Sequence, residues 1–515
     1  MLPSRRDTLT RTSGVFLLLL PWLNPFTLDP DAQVVQSLMS LSCLALLLPM
    51  PLWQVGSDTL ARVAASAWLL AALLSCLMAL LQYFGASEAL APWVNSTDVG
   101  KAFANLRQSN HFATLTTIGL AALLYWVQRE PPNGPISRSL GRPPFWHVVS
   151  CLLAAVLLGI GNAASSSRTG LLELLLLALL LLLLWKQWRH PLARRVMLAA
   201  GVGYASAALL LPWLAGLGVG GAGILARMQE QGSSCGSRLK LWNNVLYLIA
   251  EKPWTGWGWG ELSYAHFITL YPGPRFCYIA SNAHNLPLHL AVELGLPVAT
   301  LLCGGGLWAL WLAKPWREPN LARQLAWAVL ALLGFHSLLE YPLWYGPFQL
   351  TAGLALALLW LTRPASVPAA RSGRSARPYT DVPGLWRLVI ATSLMLAFLY
   401  AAWDYQRIRQ IYLPVAERSA PYRDDTLVKL RDSWLFRSLV DFAELNNTEL
   451  SPANASAGQA LAEAMLHFSP EPMVIEQLLD SLRMQGRDDA AQFYLARFKA
   501  AFPESYERWT SLNGK

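Results

Sequence analysis

Residues 171–185 read Leu-Leu-Glu-Leu-Leu-Leu-Leu-Ala-Leu-Leu-Leu-Leu-Leu-Leu-Trp, with a single polar side chain at Glu173. A helix apolar on every face has nothing to offer water and belongs in hydrocarbon or deep in a core. The rest of the chain agrees with hydrocarbon: of 515 residues, 54% are hydrophobic and only 14% charged, the composition of a polytopic membrane protein. A bilayer core takes roughly 20 apolar residues per helix. Segments of that kind fall near residues 13–26, 32–54, 58–84, 110–128, 145–162, 169–185, 196–217, 285–313, 321–340, 346–362 and 387–403. The expected fold is therefore all-α, with about 11 transmembrane helices within residues 1–403, a large loop at 218–284 and a helical C-terminal domain at 404–515. The first segment follows Arg5, Arg6 and Arg11 as a signal peptide would, but it lacks a small-x-small cleavage site and is read as a span.

Lys and Arg are retained on the cytoplasmic side of short loops. Lys186, Arg189, Arg194 and Arg195 make one basic connection, Lys314, Arg317 and Arg323 another, and the Pro/Ser/Arg stretch Arg363 to Pro383 a third. All share a side with the N-terminus, and an odd number of spans then puts the C-terminal domain opposite. The net charge of +9 is thus mostly topology, and no basic stripe interleaved with aromatics points to a nucleic-acid partner. Membrane lipids are the expected surroundings.

Three pieces remain on the outer face: the loop at about 85–109, the large loop and the C-terminal domain. The last has apolar positions at helical spacing in Ala460 to Phe468, Val474 to Leu482 and Ala490 to Phe498. Such helix pairs resemble tetratricopeptide-like solenoids, without a convincing repeat period. A solvated spacer is the plainer reading, and a partner-docking module the other. Four of the six cysteines fall inside spans, where Cys acts as a small hydrophobe. Cys235 and Cys277 lie in the large outer loop and could pair in an oxidising compartment or stay free. No Cys/His spacing suggests a metal, and no cofactor is expected.

Polar residues at the outer helix ends are where chemistry is to be sought, because ionisable groups beside hydrocarbon are costly and usually have a task. Four clusters qualify: Asn105 to Thr114, with Arg107 and Gln108; Ser165 to Gly170, with Arg168; the large loop, with Arg227, Arg238 and Arg275, leading into His284 and Asn285; and His336 to Leu343, with Glu340 and Tyr341. Arginines around one histidine suit transfer from a diphosphate donor: guanidinium groups neutralise phosphate oxygens bidentately. A neutral imidazole can accept the proton of an attacking hydroxyl. Blander readings compete. Arg168 could snorkel to headgroups and Ser165 to Ser167 could cap a helix. His289 with Glu293, and His336 with Glu340, could be structural i,i+4 pairs. His266 and His190 read as ordinary surface residues, the Trp-rich loop as an interfacial belt, and Asp29-Pro30-Asp31 as a helix end.

At these residues the chain resembles the bacterial O-antigen ligases and polymerases and, most closely, the PglL-type protein O-oligosaccharyltransferases. The resemblance rests on Arg107-Gln108-Ser109-Asn110, Ser166-Ser167-Arg168-Thr169-Gly170, Ser237-Arg238 with Gly256-x-Gly258-x-Gly260, Ala283-His284-Asn285, and His336-Ser337 with Glu340-Tyr341-Pro342. It covers residues 100–350 well and the C-terminal domain loosely. It implies an enzyme of the bacterial inner membrane that moves a preassembled oligosaccharide from undecaprenyl diphosphate to Ser or Thr of an exported, pilin-like protein on the periplasmic face. It further implies His284 as base, Arg168, Arg238 and Arg275 on the diphosphate, and Gln108 and Tyr341 as site residues. Ligation or polymerisation of O-antigen remains the alternative within the superfamily, and a transporter the alternative outside it.

Overall fold

The computed structural model describes residues 5–53, 57–129, 144–218, 223–224, 235–363 and 384–513. Arg227 and the basic linker from residue 364 onward fall outside them. Among the described residues the regular structure is helical throughout. The chain divides into two compact units. One comprises Met1–Glu230, Ala313–His336 and Pro342–Leu399, and the other Gln231–Leu312, Ser337–Tyr341 and Tyr400–Lys515.

The first unit contains α1 (Arg5–Leu23), α2 (Ala32–Leu47), α3 (Ser57–Tyr83), α4 (Ser109–Arg129), α5 (Phe145–Ala164), α6 (Arg168–Leu179) and α7 (Pro191–Leu214). Between identical apolar surfaces in lipid, helices associate by close van der Waals packing at small residues, and here the glycines mark the crossings. A Cβ on Gly159 of α5 would lie 2.1 Å from the Ala200 carbonyl of α7, and one on Gly203 of α7 would lie 2.7 Å from the Val156 carbonyl of α5. Gly119 of α4 meets Ala72 of α3 in the same way, at 2.3 Å. The loop between α3 and α4 is drawn in by two buried amides. Gln82 accepts from the Phe103 and Ala104 amides and donates to the Asn95 and Ala104 carbonyls. Asn105 donates to the Leu23 and Trp93 carbonyls. Asp31 caps α2 through the Gln33 amide and His190 caps α7 through the Ala193 amide, so the Asp-Pro-Asp stretch is a helix end.

The second unit is built from α8 (Arg238–Glu251), α9 (Leu262–Ile268) and α10 (Leu286–Ala313), with five or more helices of the C-terminal region. α10 breaks at Gly295, whose φ of 81° no β-carbon-bearing residue adopts readily. The freed backbone groups are taken up by the glycine-rich loop: Trp257 and Gly258 amides donate to the Val292 and Glu293 carbonyls at 2.9 and 3.0 Å, and Leu296 donates to Pro253 at 2.8 Å. Gly256 is obligatory there, since its Cβ would lie 2.3 Å from the Glu293 carbonyl. The Trp-rich loop is therefore a splint for a broken helix.

The C-terminal domain is more than a solvated spacer. Its core, including Met465, Val474, Leu478, Leu482, Phe498 and Trp509, also buries Phe267 of α9. Arg497 donates to the Ile268 carbonyl at 2.7 Å, and His467 stacks on Tyr264 and meets Glu261 at 2.7 Å. Loop and tail thus share one hydrophobic core.

Among the described residues, five helical segments are long and apolar enough to cross a membrane: Asp58–Tyr83, Phe145–Ala164, Pro191–Leu214, Leu286–Arg317 and Gly384–Tyr412. α11 (Leu321–Ser337) and α12 (Gly346–Leu361) precede the last, α13 (Gly384–Tyr412). On α10, Leu301, Leu307, Trp308 and Trp311 are at least 66% uncovered, a contiguous apolar surface that water would not tolerate and lipid would. The protein is a helical membrane protein.

The Gly159 contact makes a direct prediction. Gly159→Leu should drive α5 and α7 apart and lower the melting temperature and monodisperse yield in detergent, because overpacking costs about 1–3 kcal/mol. Gly201→Leu, whose Cβ meets nothing within 4 Å, should leave both unchanged by size-exclusion chromatography and thermal scanning.

Candidate active site

His284 sits in a turn that its neighbours dictate. Its backbone is left-handed, with φ 49°, and the Asn282 side chain accepts from its amide at 2.9 Å, an Asx turn. Asn285 then caps α10 by accepting from the Leu288 amide at 3.1 Å, while its Nδ2 donates to the Leu338 carbonyl at 2.9 Å. The Asn-Ala-His-Asn sequence thereby carries the imidazole on a short spur between loop and helix, and Asn285 ties that spur to the Ser337–Tyr341 segment.

Glu340 comes from that segment, its side chain 2% exposed. One oxygen accepts from the Arg238 guanidinium and the other lies 2.5 Å from His284 Nδ1. A carboxylate paired with arginine only accepts. His284 Nδ1 therefore carries the hydrogen, and the lone pair is left on Nε2. Tyr341 packs edge-on against the ring at 4.9 Å, and Trp242 of α8 donates to the Ala283 carbonyl at 3.0 Å. Burial, then the Arg238 charge and then His289, push the imidazole pKa down to about 4, so the ring is neutral at physiological pH. The arrangement is an oriented, uncharged base with a cation beside it: Arg238 is 41% exposed and His284 30%.

Arg238 is placed by Ser237, the N-cap of α8, and by the disulfide between Cys235 and Cys277, whose Cα atoms are 5.4 Å apart. The two large-loop cysteines do pair. Arg275 departs from its expected role as a diphosphate ligand: its guanidinium donates to the Thr269 carbonyl at 2.9 Å and the His266 carbonyl at 2.6 Å, over the Tyr271 ring. A fork satisfied by two carbonyls braces its own loop. His266 is no surface residue either. It is buried, its Nε2 donating to the Phe276 carbonyl at 3.0 Å and its Nδ1 accepting from the Tyr271 hydroxyl at 2.8 Å, and burial and Arg275 push its pKa down to about 3.

The remaining expected residues belong to the first unit. Ser167 is the N-cap of α6: its hydroxyl accepts from the Gly170 amide at 3.0 Å and donates to Asn110 at 2.6 Å. Ser165 accepts from the Ser167 amide at 3.1 Å. Residues 161–167 and 169–170 are all buried, and Arg168 alone between them is exposed. Among the described residues nothing pairs with its guanidinium. Arg107 donates to the Pro25 carbonyl at 3.1 Å and to Asn95 at 3.3 Å, and the Gln108 Oε1 is buried without a partner among the described residues.

The two i,i+4 histidine pairs part company. His289 and Glu293 do meet, at 3.5 Å. α11 ends at Ser337, so the helical register between His336 and Glu340 lapses, and His336 turns to Thr114 at 2.7 Å. Gln82, Asn110 and Thr114 were not singled out individually by spacing, although polar side chains in otherwise apolar helices are the signal that would have found them.

Residues 102–127 match the protein glycosylation ligase family, 153–303 the O-antigen ligase family, and 324–514 the C-terminal part of the virulence factor membrane-bound polymerases. The chain is 26% identical over 407 residues to the general O-oligosaccharyltransferase of Acinetobacter baylyi, covering 77% of this chain and 66% of that protein. The alignment thus spans just under two thirds of the relative's length. The O-antigen ligase segment contains Arg168, Arg238 and His284, and the protein glycosylation segment contains Arg107 and Gln108. Three matching segments in chain order and one long alignment show that this chain is similar to protein glycosylation ligases, O-antigen ligases and a general O-oligosaccharyltransferase.

Proposed function

We propose that this protein is a glycosyltransferase that moves a preassembled oligosaccharide from undecaprenyl diphosphate to a Ser or Thr hydroxyl of an exported protein such as a pilin. The observation that carries this reading is His284, held neutral with Nδ1 against the buried Glu340 and Nε2 left as acceptor. The acceptor hydroxyl loses its proton to His284 Nε2 as its oxygen attacks the anomeric carbon. The bond from that carbon to the diphosphate oxygen breaks, and undecaprenyl diphosphate leaves. A single in-line displacement inverts the anomeric centre. Arg238 and Arg168 neutralise the departing diphosphate, so no metal is needed. Glu340 is a positioning residue that holds the imidazole tautomer, Tyr341 walls the ring, and Gln108 belongs with the donor-binding residues.

The same reading places the chain in the bacterial inner membrane with eleven spans, its N-terminus cytoplasmic and its His284 and C-terminal domain periplasmic. Arginine and lysine placement supports that orientation. Incorporation into O-antigen polymer or lipopolysaccharide is the second reading, favoured by the matches to O-antigen ligases and membrane-bound polymerases. Membranes supplied with a labelled undecaprenyl-diphosphate glycan decide between them by whether label enters protein, polymer or lipopolysaccharide. Counterflow of substrate without covalent transfer would instead mark a transporter.

Three measurements test the chemistry. His284→Ala should lower the rate of glycan transfer at least a hundredfold, in line with general-base contributions of about 10²–10⁴, and a wild-type rate would remove His284 as base. Arg238→Ala and Arg168→Ala should each raise the donor KM roughly tenfold to a hundredfold, the loss of a charge-assisted hydrogen bond of about 1.5–3 kcal/mol. The pH profile has a definite sign. The folded-state pKa lies below the ordinary 6.5, so the neutral base is fully present above that value and is lost only as pH falls through about 4. Initial-rate kcat/KM should therefore show no acid limb between about pH 5 and 8.

A further inference from the structure

Glu173 is fully buried in α6, and the proposed chemistry makes no use of it. It is also the lone polar side chain among the leucines that follow the first turn: Leu171, Leu172, Leu174 to Leu177 and Leu179 surround it. Such a helix has no intrinsic preference for which face it turns inward, because every face is equally apolar and lipid competes equally for each. Its rotation must be set by something other than hydrophobicity. Two polar contacts with α4 do this, at two heights. Near the helix start, Ser167 donates to Asn110 at 2.6 Å. One and a half turns on, Glu173 Oε1 accepts from the Thr114 hydroxyl at 2.7 Å.

The second contact continues into α11. His336 Nδ1 lies 2.7 Å from the same Thr114 oxygen, and Thr114, Glu173 and His336 are all fully buried. The Thr114 hydroxyl is thus within hydrogen-bond distance of both Glu173 and His336, and also of the Asn110 carbonyl of its own helix at 3.0 Å. Glu173 of α6, Thr114 of α4 and His336 of α11 thereby meet in one buried polar cluster that joins three helices. The His336 ring is held by His111 at 5.5 Å and Phe348 at 5.9 Å, and the His111 ring by Tyr345 at 4.0 Å.

We propose that Glu173 is a positioning residue for donor binding: locked by Thr114 and His336, it sets the rotation of the leucine helix and so aims Arg168, the one exposed residue of its buried first turn. This inference rests on the reading of Arg168 as a diphosphate ligand. Burying a carboxylate in a helix that leucine would fill more cheaply is otherwise a pure cost.

Full-length protein in detergent or nanodiscs tests it, with undecaprenyl-diphosphate-linked glycan as donor and binding of unglycosylated undecaprenyl diphosphate as a direct probe. Glu173→Leu should raise the donor KM and weaken binding of the probe at least tenfold. Its acceptor KM, and its kcat at saturating donor, should stay within threefold, and its melting temperature should be no lower than wild type. Glu173→Gln, whose amide oxygen still accepts from Thr114, should restore donor KM to within threefold. Thr114→Val, which removes only the hydroxyl, should repeat the leucine result and serves if Glu173→Leu does not fold. Unchanged donor KM in folded Glu173→Leu or Thr114→Val, a glutamine variant no better than leucine, or donor and acceptor constants that worsen together with a lower melting temperature would each overturn the proposal. If wild type itself neither binds the probe nor uses the donor, the proposed function falls and this inference with it. A wild type that does both, beside an unaffected leucine variant, refutes only the role of Glu173.

Discussion

Hydrocarbon accepts no hydrogen bonds, and most of what is distinctive here follows from that. A polar group inside an apolar helix is costly without a partner, and Gln82, Asn110, Thr114, Asn162 and Ser167 each hydrogen-bond to a defined partner in the protein. Where α10 breaks at Gly295, the exposed carbonyls of Val292 and Glu293 are met by the amides of Trp257 and Gly258. The helix break is closed by a loop whose backbone packs directly against it. The glycines of that loop are explained by proximity of backbone to backbone, without invoking a ligand.

The second organising interaction is the buried carboxylate of Glu340. A carboxylate removed from water needs its charge balanced and its lone pairs filled, and Arg238 and His284 do both from opposite sides. That requirement orders three segments distant in sequence: the start of α8, the spur before α10 and the turn after α11. The consequence for chemistry is that the imidazole's tautomer is decided by structure and not by chance encounter. Arg238 neutralises the Glu340 carboxylate while its side chain stays 41% exposed.

The large loop and the C-terminal domain form a single hydrophobic body through Phe267 and α9. The Cys235–Cys277 disulfide closes the loop just ahead of Arg238, and Arg275 and His266 hold the same loop from within by hydrogen bonds to its own carbonyls. Rigidity at this point is worth having, since misplacing a charged group by an ångström costs far more in rate than in stability.

Hydropathy alone makes the membrane class legible, because the free energy of transferring leucine to hydrocarbon is a local, additive property of sequence. The expected segments overlap helices, five of which among the described residues are long and apolar enough to cross a membrane, and the residues His284, Glu340, Arg238, Tyr341 and Asn285 were all visible as polar groups near helix ends. What they do for one another was not. Spacing suggested a helical pair of His336 and Glu340, yet α11 stops at Ser337 and each finds another partner. Arg275 and Arg238 look alike as letters, but one is spent on carbonyls and the other on a buried carboxylate. Whether Cys235 and Cys277 would pair was open until their Cα atoms were found 5.4 Å apart. Sequence determines which groups are costly to bury, since that is a property of each side chain. Only the tertiary structure decides which partner offsets the cost, because hydrogen bonds and ion pairs depend on distance and direction between segments that the chain itself does not record.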